Sequence, residues 1–215
     1  LQPVPHPQAF ASCPRALGLY AVLPDAAWVG RMARAGVPTV QLRFKSEDPA
    51  AIAHEVRAAV QAVQGTGALL FINDHWREAI AAGAYGVHLG QEDLDALPAP
   101  ALQELRASGL RLGVSTHGYA EMLRADAVGP SYLALGAVFP TTLKRMATAP
   151  QGVARLAAYA RLMQASYPLV AIGGIALEQF AQVLATGVGS IAVMRALVAA
   201  PDPEAAAAQL LRAIG

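Results

Sequence analysis

Gln41, Arg43 and Lys45 occupy alternate positions of the segment Gln41-Leu42-Arg43-Phe44-Lys45. In an extended chain these three donors share one side, and Leu42 and Phe44 share the other. Three donors, two of them cationic, suit a polyanion such as phosphate or diphosphate. The plainer alternative is a solvated strand end paired with helix carboxylates. Asp74 closes Ile72-Asn73-Asp74, and Asp93 closes His88-Leu89-Gly90-Gln91-Glu92-Asp93. Two carboxylates on neighbouring segments, facing a basic cluster, suit Mg²⁺, which takes one or two carboxylates plus substrate phosphate oxygens. Taken alone, Asp74 also fits an N-cap for a helix at Trp76, and Glu92 and Asp95 fit solvated loop charges.

A second set of polar residues lies downstream. Gly113-Val114-Ser115-Thr116-His117 brings three polar groups that either reach a ligand or cap a helix. His88 reads as a hydrogen-bonded core residue rather than a base. Phe139-Pro140-Thr141-Thr142-Leu143-Lys144 sets a hydroxyl pair before a lysine, a further anion contact. Gly173-Gly174 lets backbone N–H groups approach an anion, and Val193-Met194-Arg195 follows at the next segment end. Together these residues predict an enzyme with two anion sites in one mouth. One is Mg²⁺-assisted and diphosphate-like, and the other is phosphate-like. That suits joining two phosphorylated substrates with diphosphate leaving.

Something must bring these segment ends together. The chain repeats a short apolar run, a turn and a helical stretch. The predicted strands are Leu19–Leu23, Thr39–Arg43, Leu69–Ile72, Gly86–Leu89, Arg111–Ser115, Tyr132–Gly136, Leu169–Ile172 and Ser190–Val193. Continuously apolar runs of this length suit a parallel sheet buried on both faces. The predicted helices are Ala50–Gln64, Leu102–Ala107, Ala120–Ala125, Val153–Gln164, Leu177–Ala185 and Pro203–Ile214. Gly36, Gly67, Gly83, Gly109, Gly129 and Gly187 fall just before strands, at or near helix C-termini. Eight strands alternating with helices predict a single (β/α)8 TIM barrel over residues 18–215, preceded by a proline-rich arm over residues 1–17. An open doubly wound sheet would need a glycine-rich turn after its first strand, and Leu23-Pro24-Asp25-Ala26 has none. In the barrel, reacting groups come from the C-terminal strand ends, where the polar residues above stand.

Composition narrows the function. The chain has 215 residues, 55% of them hydrophobic and 14% charged, with net charge +1. That excludes a disordered chain and gives no support to a nucleic-acid binder. One domain of this length buries roughly 70–75% of its unfolded surface. No run of about 18 apolar residues suits a membrane span. Much of the apolar content is alanine, which fits helices lying close on a sheet. The single cysteine, Cys13, excludes an intrachain disulfide and a cysteine-cluster metal site, and fits a reducing, cytoplasmic setting. Leu1 to Pro14 lacks the regions of a signal peptide and reads as a loose arm. The start at Leu1 rather than methionine leads us to expect residues upstream. Self-association is neither required nor excluded.

From Gly18 onward the chain resembles the thiamine-phosphate synthase family, also called thiamine-phosphate pyrophosphorylases. The resemblance is carried by Gln41-Leu42-Arg43, Phe71-Ile72-Asn73-Asp74, Gly86-Val87-His88-Leu89-Gly90-Gln91-Glu92-Asp93, Gly113-Val114-Ser115-Thr116-His117, Ala149-Pro150-Gln151-Gly152 and Val170-Ala171-Ile172-Gly173-Gly174-Ile175. It implies a (β/α)8 barrel that couples a hydroxymethylpyrimidine diphosphate with a carboxylated thiazole phosphate, giving thiamine phosphate, diphosphate and CO₂. It implies that Gln41, Arg43, Lys45, Asn73, Ser115 and Lys144 bind the pyrimidine diphosphate, with Arg43, Lys45, Ser115 and Lys144 serving catalysis. Asp74 and Asp93 would hold Mg²⁺. Thr141 and Thr142 would contact the thiazole's polar end and Gly174 its phosphate, with Leu143, Met194 and Arg195 in the same region. The sequence departs from the family at two places. Leu143 stands where the motif has a second threonine, and Arg195 where it usually has serine. Two related functions compete: a thiazole tautomerase using His117 for proton transfer, and a non-catalytic paralogue that binds thiamine phosphate or its precursors.

Overall fold

The computed structural model describes residues 9–141 and 149–215. Eight parallel strands close into a barrel in sequence order, β1 to β8. They are β1 (Gly18–Leu23), β2 (Thr39–Leu42), β3 (Leu69–Asn73), β4 (Gly86–Leu89), β5 (Arg111–Thr116), β6 (Tyr132–Leu135), β7 (Leu169–Ala171) and β8 (Ser190–Val193). Closure is made by β8 on β1, with Leu19 opposite Ile191 and Tyr20 opposite Ala192. The predicted strands are all present; β4 and β8 match at both ends, and each of the others shifts by one residue at one end. The alternative of an open sheet is excluded by this closure.

Ten helices are described around the barrel: α1 (Ala26–Arg34), α2 (Pro49–Ala62), α3 (Trp76–Ala82), α4 (Gln91–Ala96), α5 (Ala99–Ala107), α6 (Tyr119–Val128), α7 (Gly152–Met163), α8 (Phe180–Leu184), α9 (Arg195–Val198) and α10 (Pro203–Ile214). In α2, Ile52, Val56 and Ala59 recur at 3–4 spacing and are buried, Asp48 accepts a bond from the Ala50 N–H, and Pro49 opens the helix. The stretch predicted as one helix from Leu177 to Ala185 is a 3₁₀ turn, Leu177–Gln179, leading into α8. Helices α1, α4 and α9 stand where no helix is predicted. In α1, Asp25 caps the Trp28 N–H, and Val29, Met32 and Ala33 face the barrel. Among the described residues no helix is long and apolar enough to cross a membrane.

The core has two parts because strand side chains alternate. Leu19, Ala21 and Leu23 of β1 face the helices in the larger cluster. Tyr20 and Val22 face inward with Leu17, Phe71, Tyr132, Ala134, Val170 and Ala192. Tyr20, Phe71 and Tyr132 fill the barrel axis, their ring centroids 5.1–6.0 Å apart. The space for them comes from glycine: a Cβ on Gly113 would lie 2.1 Å from Tyr132 Cζ, and one on Gly86 2.5 Å from Phe71.

The expected loose arm is corrected over its described part. Phe10 is buried and its N–H donates to the Gly129 carbonyl, Ser131 Oγ donates to the Ala11 carbonyl, and Arg111 donates to the Ser12 carbonyl. Cys13 is a free thiol, pushed up to about 11 by burial, which outweighs the opposing effect of Arg111.

Candidate active site

A cavity of about 670 Å³ opens among the C-terminal strand ends and is lined by Gln41, Arg43, Lys45, Asn73, Asp74, Asp93, Ser115, Thr141, Gly174, Met194 and Arg195. These predicted residues share one wall-to-wall site although they come from seven strand ends or the segments after them. Thr142, Leu143 and Lys144 lie outside the described residues.

The basic group sits as the alternation of β2 predicts. Gln41 points inward and is only 3% exposed, and Arg43 is half-buried, its N–H bonded to the Leu23 carbonyl at 2.7 Å. Lys45 Nζ donates to Asp74 Oδ2 at 2.6 Å. Its partner is therefore a carboxylate at another strand end, not the helix carboxylate of the plainer reading.

Asp74 does not cap α3. The N-cap position is His75, without a side-chain cap bond. Asp74 instead adopts φ of 65°, a left-handed conformation uncommon for a residue with a Cβ. Its N–H donates to the His88 carbonyl at 3.0 Å, while the Trp76 N–H donates to the Asp74 carbonyl at 2.9 Å. This tight turn turns the carboxylate toward the cavity. His75 Nε2 meets the Phe44 carbonyl at 3.1 Å and ties this turn to the segment bearing Arg43 and Lys45.

Asp93 belongs to the first turn of α4, with Gly90 as N-cap, so Glu92, Asp93 and Asp95 are helical rather than loop charges. Partial burial and the neighbouring Asp74 carboxylate push the Asp93 carboxyl above its ordinary range. Two carboxylates held against each other are an unfavourable pair unless a proton or a cation sits with them. This donor set, hard oxygens beside a basic group, fits Mg²⁺ with substrate phosphate completing the shell. Among the described residues no three His, Cys, Asp or Glu gather as a metal cluster, so protein ligands beyond the pair are not supplied that way.

Ser115 comes from β5 and is gripped twice. Its carbonyl accepts from Gln91 Nε2 and its hydroxyl meets His88 Nε2, both at 2.8 Å. His88 is the hydrogen-bonded core residue expected; burial lowers it to about 4, so the ring is neutral at physiological pH. Thr116 bonds the Ala134 carbonyl. His117 meets Glu121 Oε2 at 2.8 Å through Nδ1 and lines the cavity.

Across the cavity, the Val138 and Phe139 N–H groups donate to the Ile172 and Gly173 carbonyls. These bonds join the loops after β6 and β7. Gly173 and Gly174 have φ of 100° and 66°, and a Cβ on Gly174 would meet the Pro140 carbonyl oxygen at 2.4 Å. Met194 and Arg195 follow β8, Arg195 exposed at the start of α9.

Sequence reasoning left two supports unassigned. Gln91 holds the Ser115 carbonyl. Gln151 anchors the start of α7 through its N–H to the Ala137 carbonyl and through its Oε1, which accepts from the Tyr159 hydroxyl. Both sit in quoted motifs, but a glutamine's partner across strands has no local signal.

A family model described as thiamine monophosphate synthase matches residues 19–197. A thiamine-phosphate synthase of Neisseria meningitidis serogroup B is 54% identical over 189 residues, covering 88% of this chain and 90% of that protein. One of Salmonella enteritidis is 52% identical over 206 residues, covering 96% of each. The solved thiamine phosphate pyrophosphorylase of Pyrococcus furiosus superposes with a TM-score of 0.81 at 30% identity, covering 93% of this chain and 96% of that one.

Proposed function

The chain belongs to the thiamine-phosphate synthase family, and from that membership we propose how its barrel mouth divides the work of the reaction. The reaction joins a hydroxymethylpyrimidine diphosphate to a carboxylated thiazole phosphate, releasing thiamine phosphate, diphosphate and CO₂. One observation carries the assignment of sides: Arg43 and Lys45 follow β2 beside Asp74 and Asp93, which follow the neighbouring β3 and β4, with Lys45 bonded to Asp74, whereas the Gly173-Gly174 turn follows β7 elsewhere around the same cavity.

On the first wall Arg43 and Lys45 bind the diphosphate and stabilise the negative charge that grows on it as it leaves. Gln41, Asn73 and Ser115 hold the rest of the pyrimidine substrate. Asp74 and Asp93 would hold Mg²⁺, which when bound would supply a Lewis acid for the departure of the diphosphate. The thiazole nitrogen then attacks the pyrimidine-stabilised cation, a step that needs no general base. On the second wall Thr141 contacts the thiazole and the Gly174 region its phosphate. Lys144 and Thr142 belong to the same proposal by resemblance. A cytoplasmic setting is also part of it, supported by the lone free thiol of Cys13.

Two results follow for single residues. Arg43→Lys keeps the charge and loses the planar fork. It should weaken pyrimidine diphosphate binding by about 1–3 kcal/mol, the range for charge-assisted bonds; unchanged affinity by calorimetry would show that Arg43 points elsewhere. Arg195 adds a cation beside the glycine turn where the family usually has serine. If its guanidinium binds the thiazole phosphate, Arg195→Ser should raise the thiazole KM and leave the pyrimidine KM alone. A thiazole KM that stays or falls would make Arg195 a spectator or an obstruction.

The function is tested by complementation. A bacterium lacking its own synthase should grow without added thiamine when it expresses this chain. Failure to grow with soluble chain present would count against the reading, and it is the result expected of a tautomerase acting through His117, which forms no thiamine phosphate.

A further inference from the structure

A line of hydrogen bonds climbs the barrel axis and ends at Ser115. The Tyr20 and Tyr132 hydroxyls meet at 2.7 Å, Tyr132 Oη meets His88 Nδ1 at 2.7 Å, and His88 Nε2 meets Ser115 Oγ at 2.8 Å. Tyr20 and Tyr132 are buried. Of the four side chains, only those of His88 and Ser115 line the cavity.

The direction of the protons follows from the buried end. Among the described residues the Tyr20 hydroxyl has one hydrogen bond, to Tyr132. If Tyr132 donated to it, the Tyr20 proton would be buried without an acceptor, a costly arrangement. Tyr20 therefore donates to Tyr132, and Tyr132 donates onward to Nδ1. A neutral imidazole that accepts at Nδ1 carries its proton on Nε2, so His88 donates to Ser115 Oγ. The Ser115 proton must then point away from His88. The Ser115 carbonyl is held separately by Gln91, so the backbone is fixed whichever way the hydroxyl turns. Gly113, two residues before Ser115, leaves the space that the Tyr132 hydroxyl occupies.

We propose that Tyr132 and His88 are positioning residues that turn the Ser115 hydroxyl into a fixed donor toward the pyrimidine diphosphate. The inference rests on the reading of Ser115 as a substrate contact. Neither Tyr132 nor Tyr20 touches substrate; they act by setting the tautomer of His88.

The test reads the tautomer and the kinetics separately. Nitrogen-15 NMR of the free protein should show His88 protonated on Nε2, and Tyr132→Phe should shift it toward the Nδ1-protonated form. Tyr132→Phe should lower kcat/KM for the pyrimidine diphosphate about tenfold, the worth of one such bond, with the thiazole phosphate KM unchanged. Ser115→Ala should do at least as much, and the double variant should be no worse than Ser115→Ala alone. Should Tyr132→Phe fail to fold, the wild-type tautomer still decides. An Nδ1-protonated His88 in the wild-type protein, or additive losses in the double variant, would overturn the inference. Full activity in Ser115→Ala would instead remove the underlying reading of Ser115, and the inference with it.

Discussion

Replacing Asp93 or Asp74 by asparagine should lower turnover by at least about 100-fold while leaving the barrel folded. The loss follows from the proposed role. Removing one carboxylate weakens Mg²⁺ and the stabilisation of the leaving diphosphate, worth several kcal/mol, and each 1.36 kcal/mol is tenfold in rate. The stability effect has the opposite sign. Asp93 carries a charge that partial burial and Asp74 disfavour, so Asp93→Asn should hold or raise Tm in metal-free buffer. Mg²⁺ should raise the wild-type Tm by binding the folded state and should raise that of the variant less. Asp74 differs, because asparagine there also replaces the 2.6 Å ion pair with Lys45 by a neutral acceptor. Near-normal turnover in both variants would remove the metal assignment. A large fall in Tm for Asp93→Asn would show that the pair holds the fold rather than a cation.

Gly174→Ala should cost more than 100-fold in kcat/KM for the thiazole phosphate and little in pyrimidine diphosphate affinity. The added Cβ would stand 2.4 Å from the Pro140 carbonyl oxygen and 2.9 Å from the Phe139 carbonyl carbon and oxygen. Those are backbone atoms, so the loops after β6 and β7 must part. The residue also has φ of 66°, which alanine adopts only with strain. A displacement of about 1 Å at a binding loop can cost on the order of 100-fold. Steady-state kinetics with each substrate varied in turn checks this. Equal losses on both substrates would mean a general disturbance of the mouth and not a thiazole-side site.

The barrel was legible because its signal is periodic. Eight apolar runs alternate with helices, and β4 and β8 end where the runs end, at Leu89 and Val193. The alternation in Gln41-Leu42-Arg43-Phe44-Lys45 was enough to place three donors on one wall. Helix α4 was not legible, because Gln91–Ala96 is short and polar, and only Gln91 and Leu94 are buried. Helix α1 does carry a local signal, the Asp25 cap followed by Val29, Met32 and Ala33. The arm misled because proline content speaks for stiffness, not detachment: Phe10 packs beneath the Arg106 guanidinium, 4.8 Å from its ring centroid. The turn at Asp74 was hidden for a different reason. Its left-handed backbone is held by a bond to β4, and a long-range constraint leaves no mark on neighbouring residues. The same holds for the Tyr20–Tyr132–His88–Ser115 line, whose members are up to 112 residues apart across one bond.

The most direct measurement incubates the purified chain with the pyrimidine diphosphate and the carboxylated thiazole phosphate, with and without Mg²⁺, and follows all three products. Thiamine phosphate, diphosphate and CO₂ should form in equal amounts when Mg²⁺ is present and be lost together when a chelator removes it. Turnover that survives chelation would contradict the role given to Asp74 and Asp93. Conversion of the thiazole phosphate alone, with no thiamine phosphate formed, would rule out the synthase reaction for this chain.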